Sequence, residues 1–360
     1  MSNTTGRLFR ATTFGESHGE MMGVVMDGCP PGIAIDLDQV QRDLDRRRPG
    51  QTSLTTPRNE RDQLRVVSGL FDGTTTGAPL TIVFENQDQR PRDYKDTKDL
   101  YRPGHADYSY QMRYGIRDHR GGGRASARET VSRVAAGAIG RQILQTRFDL
   151  DVVAWVSSVG SIEACVDEAN VSRQAVDAHP TRCPDPQAAQ AIEAQINAAK
   201  AAGDTLGGCV SAIAKGVPTG WGAPVFDKLE AELAKACLSL PACKGFEIGS
   251  GFAGTRMKGS EHNDEFKIEE GQVRSSSNHA GGVLGGITSG MPIQMRCAFK
   301  PVSTHFKQQR TLTKELDSVE FKNVGRHDPC VLPRAVPLIE AAIWLTLTDH
   351  YLITLSLGRI

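Results

Sequence analysis

Apolar positions along the chain run in short alternating stretches and then switch to a spacing of three and four, which predicts strands interleaved with helices. MGVVMDG (22–28), PLTIVFEN (79–86), DVVAWVSSVG (151–160), CVSAIAKGVP (209–218) and PIQMRCAF (292–299) are β-rich, and several alternate apolar with polar residues. Between them, 36–48 places Leu37, Val40 and Leu44 on one helical face, with Asp36 and Gln39 set as a capping box and Pro49-Gly50 as a stop. Helical periodicity also runs through 186–201, 223–239 and 335–352. The most apolar segment, 335–357, carries Glu340, Asp349 and His350, which predicts a core helix and not a membrane span.

The segments repeat in order. GVVMDGCPPG (23–32) resembles CVSAIAKGVPTG (209–220), each followed by a helical pattern, and GLFDGTTTGAPLTIVFEN (69–86) resembles GVLGGITSGMPIQMRCAF (282–299). GR at 123–124 and again at 325–326 precedes a helix. Offsets of roughly 190 to 210 residues are too long for a solenoid and suggest duplication of a half-domain. The expectation is one domain over 1–360, built from pseudo-repeats about 10–150 and 205–352: two similar α/β halves about a pseudo-twofold axis, with a site between them.

Composition narrows the partners. Forty-two basic residues balance 42 acidic ones, so the field of a general nucleic-acid or acidic-membrane binder is absent and any basic site is local. Of 29 arginines, 18 precede Ala135, and the guanidinium fork suits bidentate contact with phosphate or carboxylate. Eight cysteines show no CxxC pair and no metal-type spacing with histidine, so reduced thiols are expected. With an N-terminus lacking an apolar signal core, they point to the cytoplasm.

Five stretches carry candidate chemistry. In RGGGRASARET, Ser126 and Glu129 are spaced as a capping box, the glycines at 121–123 admit a ligand to the backbone, and Arg124 and Arg128 add charge at a helix start. A tight turn with surface arginines explains the same residues. GESHG (15–19) and RPGHAD (102–107) place His18 and His105 in loops, where a structural hydrogen bond is the plainer role. GESHG lacks the spacing of a nucleophile elbow, which disfavours Ser17 as a nucleophile, and no HExxH or His/Cys pattern calls for a metal. GRHDPC (325–330) offers Arg326 and Asp328 before a helix, where Asp328 also fits an N-cap, and DLDRRRPG (43–50) stacks three arginines at a helix C-terminus, where they also suit the helix dipole.

Taken in order, GESHGEMMGVVMDGCP, DLDRRRPG, RPGHAD, GRASARETVSRVAAGAI, SNHAGGVLGGITSG and GRHDPCVLPRAVPLIEAA closely resemble the chorismate synthase family over nearly the whole chain. The resemblance implies an α/β (α+β) fold, a β-α-β sandwich of two similar halves with antiparallel sheets around a helical layer. It also implies a lyase of the shikimate pathway that removes phosphate and a ring hydrogen from 5-enolpyruvylshikimate 3-phosphate to give chorismate. The family requires reduced FMN without net redox change, with NADPH acting only through a separate flavin reductase. A flavoprotein oxidoreductase with an anionic substrate is the alternative.

By the same resemblance, His18 is expected to protonate departing phosphate, His105 to support the flavin, and Asp328 to lie near flavin N5. Substrate anions fall to Arg47, Arg102, Arg128 and Arg326, with Arg46 and Arg48 competing for the first place and Ser17 and Ser126 as hydrogen-bond donors. Few carboxylates are expected beside these cations. Flavin contacts fall on Arg124, Ala125, Ser126, Pro241, Ala242, Gly285, Lys300, Pro301, Val302, Ser303, Thr304 and Arg326. Pro241, lacking an N–H, would use its carbonyl or ring. Ser53 stands where many relatives have arginine, and 253–277 is longer than in compact relatives. The expected assembly is a homotetramer, with no metal, nucleic-acid or membrane partner.

Overall fold

The computed structural model describes residues 2–52, 54–56, 60–88, 97–323 and 327–358. Ser53 and Arg326 lie outside them. The alternating segments pair into two five-stranded sheets. The first comprises β1 (Thr4–Thr5), β2 (Arg10–Phe14), β3 (Met21–Asp27), β4 (Arg65–Ser68) and β5 (Leu80–Glu85), in the order β1-β2-β3-β5-β4. The second comprises β6 (Asp151–Val159), β7 (Ile162–Glu163), β8 (Gly208–Lys215), β9 (Cys243–Ile248) and β10 (Ile293–Phe299), in the order β7-β6-β8-β10-β9. Every pairing in both is antiparallel.

Four helices fill the space between the sheets: α1 (Leu37–Arg47), α2 (Thr130–Gln145), α3 (Leu229–Leu238) and α4 (Leu332–Ser356). α2 packs on β2, β3 and β5, α4 packs on β6 and β8, and α2 and α4 pack on each other, giving a β-α-β sandwich. Gly137 sets that crossing, because a Cβ there would lie 2.7 Å from Ala341 Cα. Ile139, Ile143, Ile343 and Leu347 are fully or almost fully buried in this layer. Each such side chain contributes about 1.5–3 kcal/mol of hydrophobic stabilisation.

α4 is long and apolar enough to cross a membrane, yet 83% of its apolar window is buried inside the protein. Its charges have protein partners. Glu340 accepts from Arg46 and Arg173 (3.1 Å to Arg173) and, although burial opposes it, these arginines hold its carboxyl below the usual range. Asp349 accepts the backbone N–H groups of Leu8 and Phe9, each at 2.8 Å, which pins the N-terminal segment to the helix.

The sheets share a chain path. In each, an antiparallel pair (β2-β3, β6-β8) is followed by a helix (α1, α3) and an edge strand (β4, β9), and the last strand (β5, β10) inserts between the pair and the edge. A long helix follows in both cases. The second path starts at β6, before residue 205, and the helix Pro186–Ala201 is inserted between β6 and β8. The segment beyond Phe252 is ordered by the hairpin Phe266–Glu269 with Gln272–Ser275.

Two capping predictions are corrected. Asp36 caps α1 by accepting from Gln39 N–H at 3.0 Å, but its own N–H goes to Gln142 Oε1 at 2.7 Å and not back to Gln39. No box forms at Ser126 either. Two 3-10 turns, Gly123–Ala125 and Ala127–Glu129, precede α2, Ser126 Oγ accepts from Arg128 N–H at 3.3 Å, and Glu129 turns to Arg133 and Thr13. Arg128 therefore sits before the α-helix and not one turn inside it.

Candidate active site

A cavity of about 550 Å³ opens where α1, the 3-10 turns before α2, the 102–107 loop, the 300–304 segment and the start of α4 meet. Its size falls in the roughly 300–1,000 Å³ range of small-molecule sites. Arg47, Arg102, Arg124 and Arg128 reach it from the N-terminal half, Pro241, Ala242, Lys300 and Val302 from the C-terminal half, and Asp328 from the approach to α4.

Among the three consecutive arginines, the helix register decides. Arg46 turns away from the cavity to Asp177 (2.7 Å) and the buried Glu340, and Arg48 lies 4.0 Å from Asp45, half exposed and off the cavity. Arg47 points inward, 1% exposed, donating from Nε to Thr130 Oγ1 (3.2 Å), from Nη1 to Asp62 (2.7 Å) and from Nη2 to the Ala127 carbonyl (2.9 Å). Burial and the neighbouring Arg334 and Arg128 push it down to about 10, so it stays a cation at neutral pH. Arg128 donates from Nε to Asn86 Oδ1 at 2.8 Å and from Nη1 to Asp62. Arg102 grips Asp107 through two bonds of 2.8 and 2.9 Å, and Arg117 reaches the same carboxylate at 2.8 Å.

Expecting few carboxylates was therefore wrong. Glu16, Asp107, Asp118 and Asp328 line the cavity, and Asp62, 2% exposed, sits behind its arginines. The physical reason is that converging guanidiniums need counter-charges before any ligand arrives, and buried cations without partners would leave the interior.

His18 and Ser17 stand behind the glycine turn and not on the cavity surface. His18 is 7% exposed and its Nδ1 is 3.1 Å from Ser17 Oγ. Gly121, at φ +84°, presses its backbone on them: a Cβ would lie 2.6 Å from His18 Nδ1. Gly123 instead leaves open space on the cavity side. Arg124 ties the same turn to the sheet, donating to Thr13 Oγ1 at 2.6 Å and to the Gly15 carbonyl at 3.1 Å. Its guanidinium is engaged with protein, while Ala125 and Ser126 face the cavity.

His105 bridges two loops. Nδ1 is 3.0 Å from the Pro103 carbonyl, which only accepts, so Nδ1 carries the proton; in the neutral ring Nε2 then accepts from Thr304 Oγ1 at 2.9 Å. Burial, with Arg102 and Lys300 adding, lowers its pKa below the usual histidine value and favours that neutral form. Lys300 Nζ lies 2.6 Å from Ser303 Oγ and 3.1 Å from the Gly104 carbonyl. Asp328 accepts from Thr56 N–H at 2.8 Å and from Arg334 Nη1 at 2.6 Å. It is not an N-cap, since α4 begins only at Leu332.

Pro301 and Gly285 do not line the cavity. Gly285 lies in the turn between Val283–Leu284 and Ile287–Thr288, and the adjoining Gly286 packs on Ala223 and Lys228 at the N-terminal end of α3, one helix length from Pro241. Among the described residues no cluster of His, Cys, Asp and Glu is placed to hold a metal ion. Sequence reading missed Asp62, Arg117 and Arg334. Arg334 was within reach, lying six residues after Asp328 in the same motif, whereas Asp62 carries no local signal because both its partners are distant in the chain.

Known proteins match this arrangement along its length. The family model described as chorismate synthase matches residues 9–352. A chorismate synthase of a Synechococcus species is 53% identical, covering 98% of each chain, and that of Opitutus terrae is 52% identical over 98% of this chain and 97% of its own. A crystal structure of a chorismate synthase superposes with a TM-score of 0.77 at 28% identity, covering 99% of this chain and 94% of that one. A chain of this fold, matched from end to end and with arginines gathered about one cavity, belongs to the chorismate synthase family.

Proposed function

We propose that the cavity binds 5-enolpyruvylshikimate 3-phosphate beside reduced FMN, and that Arg47, Arg102 and Arg128 hold the substrate's two carboxylates and phosphate. The observation that carries this reading is the convergence of these arginines with His105 and Asp328 on one 550 Å³ cavity. The oxidoreductase alternative has no support in the family to which the chain belongs.

The residues present fit a flavin. Gly123 leaves room on the cavity side, Ala125 and Ser126 offer backbone, Pro241 and Ala242 offer an apolar edge, and Lys300 with Ser303 and Thr304 suits an anionic phosphate. Bound reduced flavin would supply a transient electron to the substrate and take up the ring hydrogen, so that no net oxidation results. The protein's own tasks are position, charge and protons. The arginines orient the ring and stabilise charge on the departing phosphate. His18, behind Gly121, delivers a proton to that phosphate, a transfer that needs direct reach or one intervening water. His105, kept neutral by burial and by Arg102 and Lys300 and fixed in one tautomer by Pro103 and Thr304, keeps the 300–304 segment in register with the 102–107 loop. Asp328 accepts a proton on the flavin side, with Arg334 and Thr56 N–H fixing its carboxylate. Arg326, assigned to both ligands, and Gly285, which would need another route to the flavin, remain parts of the proposal.

Asp328→Asn is expected to retain FMN binding, read by flavin fluorescence under anaerobic conditions, and to lose turnover by on the order of 100-fold. Near-normal turnover removes the base assignment. We further assign the chain a homotetrameric, cytoplasmic life, flavin reduction by a separate NADPH-dependent reductase, and an origin by half-domain duplication, which the shared strand order supports.

A further inference from the structure

The arginines at the back of the cavity are arranged by a residue that does not face it. Asp62 gives one carboxylate oxygen to each of two guanidiniums: Oδ2 takes Arg47 Nη1 at 2.7 Å, and Oδ1 takes Arg128 Nη1. The Arg47, Arg128 and Asp62 side chains are almost wholly buried, at 2%, 3% and 0% exposure respectively. Arg47 comes from the end of α1 and Arg128 from the turn before α2; Arg47 Nη2 also meets the Ala127 carbonyl of that turn, and Asp62 adds a carboxylate that both guanidiniums share.

Asp62 is itself held with unusual care. Its backbone has φ +49°, a left-handed conformation uncommon outside glycine but one that aspartate adopts more readily than most residues. Gln41 on α1 straps the segment on both sides, donating from Nε2 to the Asp62 carbonyl at 3.2 Å and accepting from Leu64 N–H at 3.1 Å. The fully buried Glu60 fastens the same segment to the loop after β5 by accepting from Gln87 N–H at 3.0 Å. Burial opposes the charge on Asp62, but Arg47 and Arg128 hold its carboxyl below the usual range, so it is an anion at neutral pH.

We propose that Asp62 is a positioning residue for the substrate's anions: by giving one oxygen to each guanidinium it fixes the forks of Arg47 and Arg128 and directs their remaining N–H groups at the ligand. This rests on the substrate reading above. A carboxylate that acted only as a counter-charge would have the opposite effect on affinity. Removing it would leave the site more cationic and bind a substrate with three anionic groups more tightly, whereas removing a positioning group weakens binding despite the added positive charge.

The test compares wild type, Asp62→Asn and Asp62→Glu, each as full chain with reduced FMN, after a thermal melt has established folding. Positioning predicts that Asp62→Asn raises KM for 5-enolpyruvylshikimate 3-phosphate by roughly tenfold or more and lowers kcat as well, because the displaced arginines both bind the substrate and stabilise charge on the departing phosphate. Calorimetric titration of the flavin-free protein with the same substrate should weaken by a similar factor. Asp62→Glu keeps the charge and moves the oxygens; its extra methylene in a packed site lowers the melting temperature, but below the melt, where the protein is folded, KM should still rise, and this decides the matter if Asp62→Asn does not fold. A KM that falls or stays within twofold in Asp62→Asn, or a wild-type KM in Asp62→Glu, overturns the proposal. Wild type failing to release phosphate would instead count against the substrate reading.

Discussion

Gly121 has to be glycine for two reasons, its positive φ of +84° and the 2.6 Å that would separate its Cβ from His18 Nδ1. Gly121→Ala should therefore displace His18 while leaving the fold in place. A catalytic group moved by about 1 Å can lose on the order of 100-fold in rate, and phosphate release should fall by that much with an unchanged circular dichroism spectrum. The glycine run was legible in the sequence as an approach to the backbone, and all three glycines line the cavity; what the sequence did not show is that the run also packs on His18. Gly121 serves the histidine, and Gly123 opens on the cavity. The arginine triplet is a similar case. Of the three, Arg47 lines the cavity and Arg46 and Arg48 do not, a distinction the sequence left open because only helix register and the distant Asp62 and Glu340 separate them.

Strands and helices followed the periodicity closely because burial on one face leaves its mark locally. The pattern at 22–28 became Met21–Asp27 and that at 151–160 became Asp151–Val159. Caps were less legible. The spacing of Ser126 and Glu129 fits a capping box, yet Glu129 finds better partners in Arg133 and Thr13, and a long-range contact overrides a local one. Between elements, the crossing of α2 and α4 depends on Gly137. Gly137→Ala places a methyl 2.7 Å from Ala341 Cα, backbone that cannot step aside cheaply. Overpacking of this kind costs about 1–3 kcal/mol. A lower urea midpoint at unchanged slope is expected, and an unchanged midpoint would show that the helices separate freely.

The balance of charges over the whole chain concealed how the cavity is built. Seven cationic side chains and four carboxylates line it, and the net charge of the sequence carries no trace of that local excess. The family was readable from motifs and the two-sheet architecture through that resemblance, while the pairing of Asp62 with Arg47 and Arg128 was not, since it is made only by the packed fold. Acid stability follows from the buried histidines. Burial lowers the pKa of His105, His327 and His350, so the folded protein holds them neutral while the unfolded chain protonates near the ordinary value of about 6.5. The unfolded state then binds more protons below that value, and their contribution, fully present above about pH 6.5, is lost as pH falls through the folded pKa values. Asp62, Asp107 and Glu340, whose pKa values are lowered below those of ordinary carboxyls, should extend the loss only at pH below about 4. A urea midpoint that holds constant from pH 7.5 to about 5.5 would contradict the histidine part of this account.

The proposed reaction is a phosphate elimination that consumes no reducing equivalents. Its most direct test is an anaerobic incubation of the protein with chemically reduced FMN and 5-enolpyruvylshikimate 3-phosphate, following released phosphate and flavin absorbance together. The account predicts many phosphates released per flavin with the flavin still reduced at the end. One flavin oxidised for each substrate consumed would contradict it.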